Sequence, residues 1–314
     1  GVSDPANEIY YGPALPLETN RYIPYRYPDE AFCRTWKAKV CEVIDKYAPD
    51  AIYFDSRTCI IREDYRYAMA DYYYRTKGMK EGIITYKQED FPKDIGVYDI
   101  ECGKFAHPRP FPWQSDDRLE DNITWCMVQN PKYKSAKRIL HQLCDIVSKN
   151  GNLLLNVGPY TDGSFHPDAV AVLEEVGDWL ALNGEAIYAT RPYTIAAEGP
   201  TIVEEENYDQ EKIEEQIKKG GAADVHSETL TAEDFRFTTH GDTLYAIAMG
   251  WPENGEFRIR TLREGGPFDS DVGSVTLLGC DTPLTFGRNG ECLYVKAPEK
   301  KPCAHAYVLK ICHS

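Results

Sequence analysis

Apolar residues recur at intervals of three and four along residues 29–47, at Phe32, Trp36, Val40, Val43, Ile44 and Tyr47, which predicts an amphipathic helix with those side chains on its covered face. Pro49-Asp50 ends it. Ala51-Ile52-Tyr53-Phe54-Asp55 is a short apolar run closing on an acid, as expected of a strand, and a second helical pattern follows through Tyr65, Ala68, Met69, Tyr72 and Tyr73. Residues 82–86 and 97–101 predict two more strands, the second again closing on an acid, Glu101, before a proline-rich loop over 107–113. A third helix is expected from Lys134 to Lys149, stopped by Asn150-Gly151. Residues 152–157 then read as a strand buried on both faces, and Pro167 opens a fourth helix that reaches Asn183-Gly184. Strands alternating with helices point to an α/β fold whose parallel sheet is covered by helices.

The pattern changes after Pro192. Residues 203–235 are charge-rich with a Gly220-Gly221 break, the composition of a solvated insertion. Beyond them lie only short runs bounded by turn residues, at 243–249, 256–261, 274–278, 292–296 and 304–311, which favour an antiparallel β-sandwich. Two domains are therefore expected, over residues 1–192 and 193–314. No internal repeat of solenoid or propeller length is present.

Charge narrows the partners. Fifty acidic against 35 basic residues give a net charge of -15, a surface that repels phosphate backbones, so nucleic-acid binding is not expected. No uncharged apolar run approaches the roughly 20 residues of a membrane helix, so no membrane partner is expected either. The ten cysteines contain no Cys-x-x-Cys pair, which leaves zinc and redox chemistry unsupported. Cys33 and Cys41 share one predicted helix and stand too far apart to pair with each other. An even cysteine count, an acidic chain and one sequon, Asn122-Ile123-Thr124, suit a secreted or lumenal glycoprotein; ten free thiols in a reducing compartment is the other reading.

Candidate chemistry rests on two carboxylates. Asp55 and Glu101 both close predicted parallel strands, and in parallel barrels the catalytic groups sit at the C-terminal strand ends. Such a pair is the minimum equipment for glycoside hydrolysis, although acids that end strands are also common helix caps. Trp113 and Trp125 follow Glu101, where an aromatic face could stack on a pyranose ring; for Trp113, core packing is an equal alternative. The seven histidines are scattered with no metal-ligand spacing, so neither a metal nor a cofactor is implied. Gly158-Pro159-Tyr160-Thr161-Asp162-Gly163 lacks the ending of a phosphate loop, and no serine stands in a nucleophile-elbow context.

One long motif carries a family likeness. Ser148-Lys149-Asn150-Gly151-Asn152-Leu153-Leu154-Leu155-Asn156-Val157-Gly158-Pro159, with Asn183-Gly184-Glu185-Ala186-Ile187-Tyr188, closely resembles glycoside hydrolase family 29, the α-L-fucosidases. The likeness extends from Tyr10-Tyr11-Gly12-Pro13-Ala14 to Gly250-Trp251-Pro252-Glu253-Asn254-Gly255 and Ala306-Tyr307-Val308-Leu309. It implies a retaining mechanism with Asp55 as nucleophile and Glu101 as acid/base. Ile100-Glu101 with the later Pro112-Trp113-Gln114 resembles the branch that acts on α-1,3/1,4-linked fucose in glycans. Trp125 matches the aromatic that stacks on fucose, and Lys87 falls where many relatives place an arginine region that contacts the sugar.

The chain also departs from the family pattern. Trp125-Cys126-Met127 replaces a usual Trp-Gly-Tyr, and Ser56-Arg57 follows the nucleophile where an aromatic is commoner. The first barrel half with its His-rich motifs has no counterpart here. The expected architecture is thus the C-terminal portion of a (β/α)8-like barrel followed by a sandwich, completed by an N-terminal barrel segment or chain. The alternative expectation is a non-catalytic glycan-binding or structural protein built on a decayed fucosidase scaffold. The sandwich carries no identified chemistry, and bracing the barrel or binding sugar are its two expected roles.

Overall fold

The computed structural model describes residues 4–11, 28–55, 58–87, 90–92, 94–121, 124–201, 230–268 and 271–313. The chain divides into two compact units, residues 1–96 and 97–314.

In the first unit, helix α1 (Glu8–Tyr11) precedes α2 (Glu30–Tyr47), whose first turn is capped by the Asp29 carboxylate accepting from the Phe32 N–H at 2.8 Å. Strand β1 (Ala51–Phe54), helix α3 (Glu63–Lys77) and strand β2 (Ile83–Lys87) follow. The two strands pair in parallel, from Ala51 opposite Ile83 to Phe54 opposite Tyr86. Tyr73 of α3 sets this register. Its buried hydroxyl donates to the Asp50 carbonyl at 2.8 Å and accepts from the Ile83 N–H at 3.3 Å, bridging the starts of both strands. The stripe that α2 buries is narrower than its periodicity predicts: Cys33 and Ile44 are buried, whereas Phe32, Val43 and Tyr47 are exposed. Two strands offer too little surface to cover six apolar positions.

In the second unit, β3 (Val97–Asp99), β4 (Trp113–Arg118) and β5 (Gly151–Asn156) form a parallel sheet, with α4 (Ala136–Ser148) between β4 and β5 and α5 (Pro167–Asn183) after it. Two expectations need correcting. Strand β3 stops at Asp99, so Glu101 sits in the turn beyond it. Strand β5 is not buried on both faces. Leu153 and Leu155 pack into the helix-covered core, but Leu154 points the other way and is 45% exposed.

Strand β4 was not expected, and its sequence Trp-Gln-Ser-Asp-Asp-Arg shows why: no apolar alternation exists to read. Its polar side chains are buried and paired instead. The Ser115 hydroxyl donates to the Gly103 carbonyl at 2.8 Å, and the Asp117 carboxylate is ion-paired with buried Lys134 and accepts from Gln142 at 2.8 Å. Burial alone would push the Asp117 carboxyl up; Lys134 and Gln142 outweigh it and hold the group below the usual carboxylate range.

The sandwich begins with β6 (Arg191–Glu198) and continues through β7 (Phe235–His240), β8 (Thr243–Ala248), β9 (Glu256–Ile259), β10 (Val272–Leu277), β11 (Phe286–Arg288), β12 (Leu293–Lys296) and β13 (Tyr307–His313). A five-stranded sheet in the order β10-β13-β8-β7-β6 faces a three-stranded sheet in the order β11-β12-β9. Strands β6, β7 and β11 add to those expected. The charge-rich stretch ends earlier than its composition suggests, since Leu230, Asp234 and Phe235 are all buried; residues 202–229 lie outside the described residues.

The larger sheet is covered on both sides. Phe235, Phe237, Ala246 and Leu309 pack toward Phe257, Leu293 and Val295 of the smaller sheet. Tyr245, Ile247 and Val308 pack toward Ile139 and Trp179 of α4 and α5, and the Trp179 indole N–H donates to the Ala306 carbonyl at 2.8 Å. The sandwich and these two helices therefore share one core within residues 97–314.

A buried charge cluster pins the same junction: Asp145 of α4 holds Arg236 of β7 and Lys149, each at 2.6 Å. None of the ten cysteines is disulfide-bonded, so their even count builds no covalent framework. No described helix is long and apolar enough to cross a membrane.

Candidate active site

Within the first unit, side chains alternate along β1 and β2, so Ala51, Tyr53 and Asp55 share a face with Ile83, Thr85 and Lys87. Asp55 and Lys87 stand one rung beyond the Phe54–Tyr86 pair, at the C-terminal end of the strands. The Lys87 ammonium lies 3.2 Å from Asp55 Oδ1, with the lysine buried and the carboxylate exposed. A buried cation thus holds an accessible anion. The chain after Asp55 is anchored by Asp90, whose buried carboxylate accepts from the Thr58 N–H at 2.6 Å. Ser56 and Arg57 lie outside the described residues.

Glu101 occupies a turn that the neighbouring strand shapes. The Ile100 N–H donates to the Gln114 carbonyl at 2.9 Å and the Cys102 N–H to the Asp116 carbonyl at 2.8 Å, extending the β3–β4 ladder past the strand end. Glu101 falls between these two anchors and is half-buried. Cys102 takes a left-handed conformation (φ 48°), and Arg118 donates to its sulfur at 3.1 Å. Burial pushes the Cys102 thiol up, so it stays neutral and acts as a spacer. The same Arg118 guanidinium lies 5.6 Å from the centre of the Trp125 ring, a cation–π contact that ties the aromatic to the Glu101 turn. Asp99, Gln114, Asp116 and Arg118 share one sheet face with Asn152, Leu154 and Asn156. Sequence reasoning missed Asp116 and Arg118. The only signal available was a strand-length polar run starting after Pro112.

The long motif explains both tryptophans. Asn150 turns the chain out of α4 in a left-handed conformation (φ 73°), and Gly151 leaves room for the Trp113 ring, which a Cβ would meet at 2.6 Å. The Trp113 indole N–H donates to the Lys149 carbonyl at 2.9 Å, and the ring is fully buried against Phe105, Ile146 and Leu153. Trp113 is therefore a core residue and offers no face to a sugar.

At the other end of β5, the Asn156 amide donates to the Trp125 carbonyl at 3.1 Å, and the Gly158 N–H donates to Glu120 at 2.9 Å. A Cβ on Gly158 would lie 2.6 Å from the Met127 nitrogen. Gly158→Ala is thus expected to displace the 125–127 loop, costing about 1–3 kcal/mol in urea unfolding and loosening any ligand that stacks on Trp125. Trp125 itself is half-buried on its loop. Asn122 and Ile123 of the sequon lie outside the described residues, and no described cluster of His, Cys, Asp or Glu could hold a metal.

Comparison with known proteins gives this geometry a family. The model for Alpha-L-fucosidase matches residues 2–185, and that for the Alpha-L-fucosidase C-terminal domain matches residues 227–312. The chain belongs to the α-L-fucosidase family.

Human tissue alpha-L-fucosidase is 29% identical over 274 residues, covering 84% of this chain and 50% of that protein. The Branchiostoma floridae alpha-L-fucosidase is 29% identical over 184 residues, covering 57% of this chain and 33% of its own length. The chain thus spans half or less of these two relatives. Among solved structures, the Thermotoga maritima α-fucosidase superposes with a TM-score of 0.64 at 22% identity, over 90% of this chain and 57% of that one. An α-L-fucosidase from Bacteroides thetaiotaomicron, solved as a trapped covalent intermediate with 2-fluoro-fucosyl fluoride, reaches 0.67 at 16% identity, over 93% and 64%. These likenesses establish the α-L-fucosidase fold, a partial parallel barrel followed by an antiparallel sandwich.

Proposed function

We propose that this chain carries the two catalytic carboxylates of a retaining α-L-fucosidase. Asp55 attacks the anomeric carbon of a terminal α-L-fucose and forms a fucosyl ester, while Glu101 gives its proton to the departing glycosidic oxygen. Glu101 then takes a proton from water, which breaks the ester and releases fucose with its configuration retained. The observation that carries this reading is the exposed Asp55 carboxylate at a parallel strand end, held 3.2 Å from buried Lys87. Lys87 orients the carboxylate through Oδ1. The covalent intermediate trapped in the Bacteroides thetaiotaomicron neighbour supports the retaining course.

Trp125, steadied by Arg118 and Asn156, is the proposed stacking face for fucose. The likeness at Ile100-Glu101 and Pro112-Trp113-Gln114 supports α-1,3/1,4-linked fucose in glycans as the substrate. Fucosylated glycans and the acidic sequon-bearing chain together suit a secreted or lumenal enzyme, lysosomal or extracellular, with Asn122 as its glycan site. Exposed Leu154 and, in the other unit, Ile83 at 47% support a further barrel segment covering the faces that bear them.

Incubation of the full protein with 2-fluoro-fucosyl fluoride, followed by peptide mass mapping, tests the assignment. One 2-fluorofucosyl adduct, formed with loss of the anomeric fluoride, is expected on the peptide containing Asp55. An adduct on another carboxylate, or turnover of an aryl fucoside without any adduct, overturns it.

A further inference from the structure

The Gly250-Trp251-Pro252-Glu253-Asn254-Gly255 motif lies in the sandwich, and no step of the proposed hydrolysis uses it. It forms a ridge between two cavities of about 900 and about 570 Å³, both lined by Thr231, Trp251, Pro252 and Glu253. The ridge is held closely. A Cβ on Gly250 would lie 2.8 Å from the Ala232 nitrogen, so only glycine lets the segment rest against residues 231–232. Trp251 is half-buried, and its ring meets Phe257 at 5.4 Å and 82° and Tyr307 at 4.7 Å and 69°. Two near-perpendicular aromatic contacts lock its orientation. A rigid, half-exposed tryptophan that lines two cavities is preorganised to receive a flat apolar surface.

The charged groups of the larger cavity are balanced, whereas Glu198, Glu233, Glu253 and Glu256 line the smaller one with Arg258 and Arg260. Glu253 and Glu299 face Lys137 and Lys301 around the larger cavity, two acids against two bases. Lys301 Nζ lies 5.8 Å from the Trp251 ring centre, and among the described residues Glu253, Glu299 and Lys137 make no ion pair. Matched charges in the larger cavity give no net attraction for an anion or a cation there, whereas carboxylate acceptors and ammonium donors beside an aromatic face suit a ligand rich in hydroxyls. Both cavities fall in the ~300–1,000 Å³ range typical of small-molecule sites.

We propose that this pair of cavities is a second, non-catalytic binding site for a neutral oligosaccharide, with one pyranose stacked on Trp251 and flanking sugars hydrogen-bonded to Glu253, Glu299, Lys137 and Lys301. The proposal stands independently of the role of Asp55.

Calorimetric titration of the full chain with fucose-free oligosaccharides of β-linked galactose and N-acetylglucosamine separates the two sites. Saturable binding is expected, weakened at least tenfold by Trp251→Ala and severalfold by Glu299→Ala, and unchanged by Asp55→Ala. Glu299 is exposed, so its variant keeps the test valid if Trp251→Ala fails to fold, which a thermal melt reveals. Absence of binding by the wild-type chain overturns the proposal. So does binding that ignores the ridge variants, or that Asp55→Ala abolishes.

Discussion

Asp55→Ala is expected to lower kcat/KM for an aryl α-L-fucoside by on the order of 10³-fold or more while leaving the melting temperature nearly unchanged. The carboxylate is three-quarters exposed, so its removal costs the fold little. Its chemical loss is large because alanine has no oxygen with which to form the fucosyl ester. Added azide should restore part of the activity by attacking from the vacated face, and the product should be the azide of inverted configuration. A residue that merely supported the site would show no such rescue. Glu101→Gln should behave differently: it should slow substrates with poor leaving groups far more than activated aryl fucosides. Unchanged turnover in Asp55→Ala would remove the nucleophile assignment.

Asp145→Ala is expected to destabilise residues 97–314 by about 3–5 kcal/mol, because it strands the buried cations of Arg236 and Lys149 without a counter-charge. In a unit of this size that lowers the melting temperature by roughly 10 °C. Burial pushes the Asp145 carboxyl up, but Arg236 and then Lys149 outweigh it and hold the group down to about 2. The folded value thus lies below the unfolded value of about 3.9. The contribution of this ionised group is complete above that unfolded value and is lost as pH falls toward 2, a loss of about 2 kcal/mol. Urea unfolding of wild type and Asp145→Ala should therefore differ most at neutral pH and converge as the solution is acidified. A constant difference across that range would show that packing, not charge, makes the junction.

How far the sequence could be read followed from how each segment is stabilised. Helices α4 and α5 were legible because one broad face of each meets the core, and the runs of β8 and β13 because both sides of their sheet are covered. Strand β4 was not, since paired charges bury it, and a salt bridge such as Asp117–Lys134 leaves no period in the chain. For α2 the period was real, but the covering surface was missing for half of it. Trp113 and Trp125 looked alike as aromatic residues after Glu101; burial separates them, with Gly151 and the Lys149 carbonyl drawing Trp113 into the core.

By itself the sequence determined the α/β-then-β class and the family motif and supplied the two proposed carboxylates, because these depend on local periodicity and on residue type at fixed spacing. Only the tertiary structure decided that Asp55 is gripped by Lys87, that Arg118 links the Glu101 turn to Trp125, and that the sandwich shares a core with α4 and α5. Each of these contacts joins residues from different elements, and strand register with side-chain burial brings them together where no spacing along the chain records it.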